Sequence, residues 1–88
     1  MRRFHVTVGV LQCPMTDDDL NQLDQDPSGW LIKQRSGGWR SGFRLDLEGS
    51  AEDPGSAERE ARTEVAHWLG AHGLTGDVAV ARTRRELR

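Results

Sequence analysis

The sequence carries one cysteine (Cys13), one lysine (Lys33) and no tyrosine among its 88 residues. A lone cysteine cannot cross-link a domain to itself, which removes a disulfide scaffold and points to a reducing compartment, the cytoplasm. Aromatic residues make up 6% of the chain, leaving little from which to build a surface that stacks nucleic-acid bases. Long apolar runs are also missing. Behind Met1-Arg2-Arg3 the apolar residues are interrupted at His5, Thr7 and Gly9, a pattern that fits neither the core of a secretory leader nor a membrane span. The near-absence of lysine beside 11 arginines reads as the codon bias of a GC-rich bacterial or phage genome and says nothing about chemistry.

What is present suits one small folded unit. At 88 residues, with 35% hydrophobic and 30% charged residues, there is apolar material for a single core and none for a second. The formal charge of −2 argues against a surface devoted as a whole to nucleic acid, while leaving room for a local basic patch.

Apolar residues fall at every second position from Phe4 to Val10, the period of a strand with one face buried. Thr16 stands before Asp17-Asp18-Asp19, a capping hydroxyl followed by carboxylates at the positive end of a helix; the breakers Asp26-Pro27-Ser28-Gly29 keep that helix short. Two alternating runs follow, Trp30 to Arg35 and Trp39 to Glu48, and Ser36-Gly37-Gly38 between them predicts a hairpin turn that sets Ile32 opposite Phe43 and Trp30 opposite Leu45. Asp53-Pro54 opens a second helix with Ala57, Ala61, Val65, Trp68, Leu69 and His72 on one stripe, and Gly73-Leu74 closes it. Val78 and Val80 mark a last strand. Residues 1–83 form the expected domain and 84–88 a basic, frayed tail.

The order strand, helix, strand, strand, helix, strand predicts an α+β, ferredoxin-like β-α-β-β-α-β sandwich, one antiparallel sheet with both helices on one face. The alternative treats residues 12–29 as a long ordered loop. This resembles a superfold, not a family, and a superfold does not fix activity.

With the helices over Phe4, Val6, Val8, Ile32, Phe43, Leu45, Val78 and Val80, parity sends Lys33, Arg35, Arg40 and Arg44 to the open face, with Arg35 opposite Arg40. Like charges opposed on a sheet invite an anion to offset them. Gly9 and Gly42, with Thr7, Ala79 and Ala81 nearby, make a low centre that a ligand or second sheet could approach. The resulting candidate site is Gly9, Lys33, Arg35, Arg40, Gly42 and Arg44. The leading expectation is a non-enzymatic interaction module working through this face, on a protein partner or as a homodimer. The alternative is a weak, sequence-independent nucleic-acid or anion binder. An enzyme built on a cross-strand His5/Asp46 pair comes third.

No cofactor or metal is expected. His67 and His72 are five residues apart, about 140° around a helix, and cannot share an ion as an i, i+4 pair could. Asp17-Asp18-Asp19 lacks the glycine and later glutamate of a calcium loop, and Cys13 lacks a partner cysteine or a nearby histidine.

Overall fold

The computed structural model describes residues 1–23, 25–39 and 41–86. Its elements are β1 (Arg2–Leu11), α1 (Asp17–Asn21), β2 (Trp30–Trp39), β3 (Gly42–Ala51), α2 (Pro54–Ala71) and β4 (Asp77–Arg85). The architecture is α+β: an open four-stranded antiparallel sheet in the order β2-β3-β1-β4, with two helices. Among the described residues, no helix is long and apolar enough to cross a membrane.

The alternation in β1 works as the sequence indicates. Phe4, Val6, Val8 and Val10 are buried and face the helices together with Phe43, Leu45, Leu47 and Ala51 of β3. Onto them α2 lowers Ala57, Ala61, Val65, Trp68 and Leu69, the expected stripe. Trp68 meets Phe43 edge-on with ring centroids 6.4 Å apart, and its indole N–H donates to the Gln25 carbonyl, so this large ring is buried without orphaning its polar atom. No polar or charged residue is buried among the described ones.

Both ends of α2 follow local chemistry. The Asp53 carboxylate accepts from Ser56 N–H at 2.7 Å, and Pro54 occupies the first helical turn. At the other end Gly73 adopts φ +70°, Leu74 N–H reaches back to the Leu69 carbonyl and Gly73 N–H to that of Gly70, the paired bonds of a Schellman ending. Helix α1 is only 5 residues long and sits between the two sequence alternatives. Thr16 and Asp19 form a reciprocal capping box, and Leu20 enters the same buried cluster as α2.

The hairpin departs from expectation. Ser36, Gly37 and Gly38 lie within β2, and the chain reverses between Trp39 and Gly42. Ile32 therefore pairs with Leu47 rather than Phe43, and Trp30 with Gly49 rather than Leu45. The shift is even, so these apolar residues keep their face. Gly37 is required where β2 passes α1: a Cβ there would lie 2.5 Å from the Thr16 carbonyl carbon, and the Gly37 N–H donates to the Asp17 carboxylate. Opposite Trp30, Gly49 leaves room for the indole, which a Cβ would meet at 2.5 Å.

Three register shifts complete the sheet. Lys33 is an extra residue between the pairs Ile32–Leu47 and Gln34–Asp46, a second shift falls between Ser36 and Trp39, and Ala81 is extra between Val80–Val8 and Arg82–Thr7. An extra residue reverses the facing of everything beyond it until the next. Strand β4 also continues through Arg85, and Glu86 N–H donates to the Arg3 carbonyl. Arg84 and Arg85, expected in a frayed tail, are thus paired strand residues. Leu87 and Arg88 lie outside the described residues.

Candidate functional site

The face of the sheet away from α2 is laid out by the pairing register. One row across it reads Leu31, Glu48, His5, Arg84; the next, Gln34, Asp46, Thr7, Arg82; the next, Ser36, Arg44, Gly9, Ala79. Between the edge strands lies a broad open depression lined by His5, Thr7, Lys33, Arg44, Asp46 and Arg82, among others.

The predicted basic cluster is only partly brought together. Lys33 and Arg44 reach this face, but Arg35 does not. The bulge at Lys33 turns Arg35 to the helix side opposite Leu45, where one guanidinium nitrogen donates to the carbonyls of Leu20 (3.1 Å) and Leu23 (3.0 Å) and another lies 3.7 Å from Asp26. Arg35 therefore caps the C-terminal end of α1, a structural duty in place of the expected anion contact. Arg40 lies outside the described residues, so the proposed Arg35–Arg40 opposition has no counterpart: Arg35 pairs with Leu45.

Gly9 lies between Arg44 and Ala79 and is buried, not an open floor for a ligand. Gly42 is buried, and a Cβ there would lie 1.7 Å from the Val10 carbonyl oxygen. Its missing side chain admits the end of β1, not a ligand. In place of Arg35, the register of β4 supplies Arg82 and Arg84, which sequence alternation missed because an extra residue at Ala81 inverts the pattern after Val80. Proline and glycine give no warning at either Lys33 or Ala81, and the only legible trace is that Thr83, not Arg82 or Arg84, has the polarity to face α2, where it donates to Glu58 at 3.0 Å.

The carboxylates on the face have distinct partners. Asp46 accepts a 2.7 Å bond from the Thr7 hydroxyl, and Thr7, not His5, is its cross-strand neighbour. This corrects the His5/Asp46 pair: His5 lies opposite Glu48, and its Nε2 is 3.2 Å from the Glu86 carboxylate. Glu48 accepts from Arg3 at 2.8 Å and lies 3.7 Å from Lys33. The Arg3 bond holds its carboxyl below the usual carboxylate range. His5, Glu48 and Glu86 together bring one imidazole nitrogen and two carboxylate oxygens within 4.8 Å of one another.

Arg44 is different. It is half-buried at the middle of the face, and its Nε is the buried side-chain polar atom without a hydrogen-bond partner among the described residues. A buried donor left unpaired costs about 1–3 kcal/mol.

The remaining sequence candidates lie away from this face. Cys13 is buried and burial pushes its thiol up, away from reactivity. His67 is exposed beside Glu64, and His72 Nδ1 contacts the Trp68 carbonyl at 2.8 Å. Comparison with protein-family models, curated proteins and solved structures finds no match to this chain.

Proposed function

We propose that the chain is a non-enzymatic binding module that docks through its open sheet face, with a second copy of itself as the simplest partner. The observation that carries this reading is the unpartnered Arg44 Nε at the centre of that face. Turning the guanidinium outward to meet an acceptor on a partner would satisfy it, and such a bond to a charged group is worth about 1.5–3 kcal/mol. Self-association is favoured by the distribution of charge. Arg44, Arg82 and Arg84 share the face with Asp46, Glu48 and Glu86, and a two-fold contact sets each zone of a surface against another zone of its copy. The strand order, with β1 and β3 innermost and each helix linking strands two places apart, supports the ferredoxin-like assignment; the brevity of α1 is its departure from that pattern. A single buried thiol is consistent with a cytoplasmic setting.

The test is sedimentation equilibrium at rising protein concentration. A dimer in the micromolar range that Arg44→Glu returns to monomer is the expected result. A wild-type chain that stays monomeric at high micromolar concentration, and shows no protein partner in its native extract, overturns the reading.

A second reading rests on Arg82 and Arg84 joining Lys33 and Arg44 on one face: weak, sequence-independent binding of nucleic acid through phosphates. It requires affinity that falls steeply with salt and drops when Arg82 and Arg84 are both changed to alanine. The acidic groups on the same face oppose it. Absence of binding to single- and double-stranded nucleic acid at low salt eliminates it.

A further inference from the structure

We propose that His5, Glu48 and Glu86 form a binding site for a divalent first-row transition metal, zinc above all, at the edge of the open sheet face. The three residues come from β1, β3 and the residue after β4, and only the paired register assembles them. Their donor atoms, one imidazole nitrogen and two carboxylate oxygens, lie within 4.8 Å of one another, and all three side chains are partly shielded, with relative exposures of 31% for His5, 32% for Glu86 and 15% for Glu48.

The His5–Glu86 contact already has the right span. Two ligands at ~2.0–2.1 Å from a tetrahedral ion stand ~3.3 Å from each other, and His5 Nε2 lies 3.2 Å from Glu86 Oε1. A metal ion can be seated between these two atoms with little movement of either. Glu48 supplies the third ligand through one carboxylate oxygen, and the carboxylate is held by the 2.8 Å bond from Arg3. That bond would act as an outer support, orienting the carboxylate as such partners do in metal sites. Two carboxylates balance the charge of the ion. Arg3, Lys33 and Arg84 nearby weaken the attraction, so moderate affinity is expected. A fourth position remains for water or an outside ligand. The imidazole selects zinc and its neighbours over magnesium and calcium, which prefer oxygen alone. Zinc binding at these residues does not require docking, although Glu48 and Glu86 also belong to the charge pattern of the docking face.

Isothermal titration of the untagged chain with zinc chloride tests it, with magnesium chloride as the contrast. One zinc per chain is expected, with no magnesium uptake. Loss of an outer-shell partner alone costs 10–100-fold in many sites, so loss of a direct ligand in His5→Ala should lower zinc affinity by at least about tenfold; Glu86→Ala should do the same, and His67→Ala should change nothing. Circular dichroism establishes that each variant is folded, and nitrogen-15 spectra of the imidazoles should show His5 shifting at Nε2 on zinc addition. No heat with zinc at millimolar concentration overturns the proposal. So does binding that survives both His5→Ala and Glu86→Ala, or a zinc-induced shift at His67 or His72 with His5 unmoved.

Discussion

Helix α2 runs 18 residues and sinks five side chains into the core, whereas α1 runs 5 residues and buries Leu20. The longer helix is held by apolar area along its own stripe, and its caps add to a structure that packing has already secured. The shorter one lies far below the length at which a helix persists by itself. It is held from outside, by Arg35 of β2 on the carbonyls of Leu20 and Leu23 and by the backbone of Gly37 on Asp17. The same domain thus fixes one helix by area and the other by a few directed polar bonds. Disturbance of the first should be felt globally, and of the second locally.

The largest expected effect is on the first. Trp68→Ala should cost ~3–5 kcal/mol in chemical denaturation, as aromatic truncations in cores do, and an unchanged midpoint would mean that α2 is not docked through Phe43 and Gln25. Next comes Arg35→Ala, which strips the Leu23 carbonyl of its donor, leaves Leu20 with its backbone donor alone, and should cost about 1–3 kcal/mol. Its signature should be regional: amide exchange in α1 accelerates well beyond the global change while α2 remains protected. Equal acceleration in both helices would mean that α1 and α2 are held in the same way. Gly73→Ala forces a Cβ into φ +70° and should cost about 1 kcal/mol, similar to Thr16→Ala at the cap of α1; the first should lower the melting temperature of the whole domain and the second chiefly loosen α1. The smallest effect should come from pH. The Asp53 carboxyl is held low by its bonds to Ser56, and Glu48 by Arg3. Both contributions are complete above the ordinary carboxylate range and fade as acid carries the pH down through their lowered values. Asp53→Asn should flatten the acid limb of a stability–pH curve; an unaltered limb would remove Asp53 from the account.

How much of this was legible in the sequence depends on how local the cause was. The caps at Thr16, Asp53 and Gly73, the stripe on α2 and the inward set of β1 are written within a few residues of where they act, and local residue order alone reveals them. The open face is not. Its membership rests on parity counted along β2 and β4, and one extra residue at Lys33 and another at Ala81 invert that count. Arg35 left the predicted site for this reason, and Arg82 and Arg84 entered it. Gly37-Gly38 matched a tight-turn signal, yet the glycines serve the approach of β2 to Met15, Thr16 and Asp17. Glu86 could not have been paired with His5 from the sequence, because 81 positions separate them.

The extra residues have one more consequence. All of them fall on β2 and β4, the two outermost strands, while β1 and β3 pair with each other in unbroken register. An outer strand offers a row of free backbone groups on which another chain can add, and bulges, like a lysine placed at one, spoil that template. Lys33 occupies such a position on one side and Ala81 on the other. This protein is therefore poorly suited to lengthen its sheet by joining copies side by side into fibres, and its assemblies should be finite, closed ones.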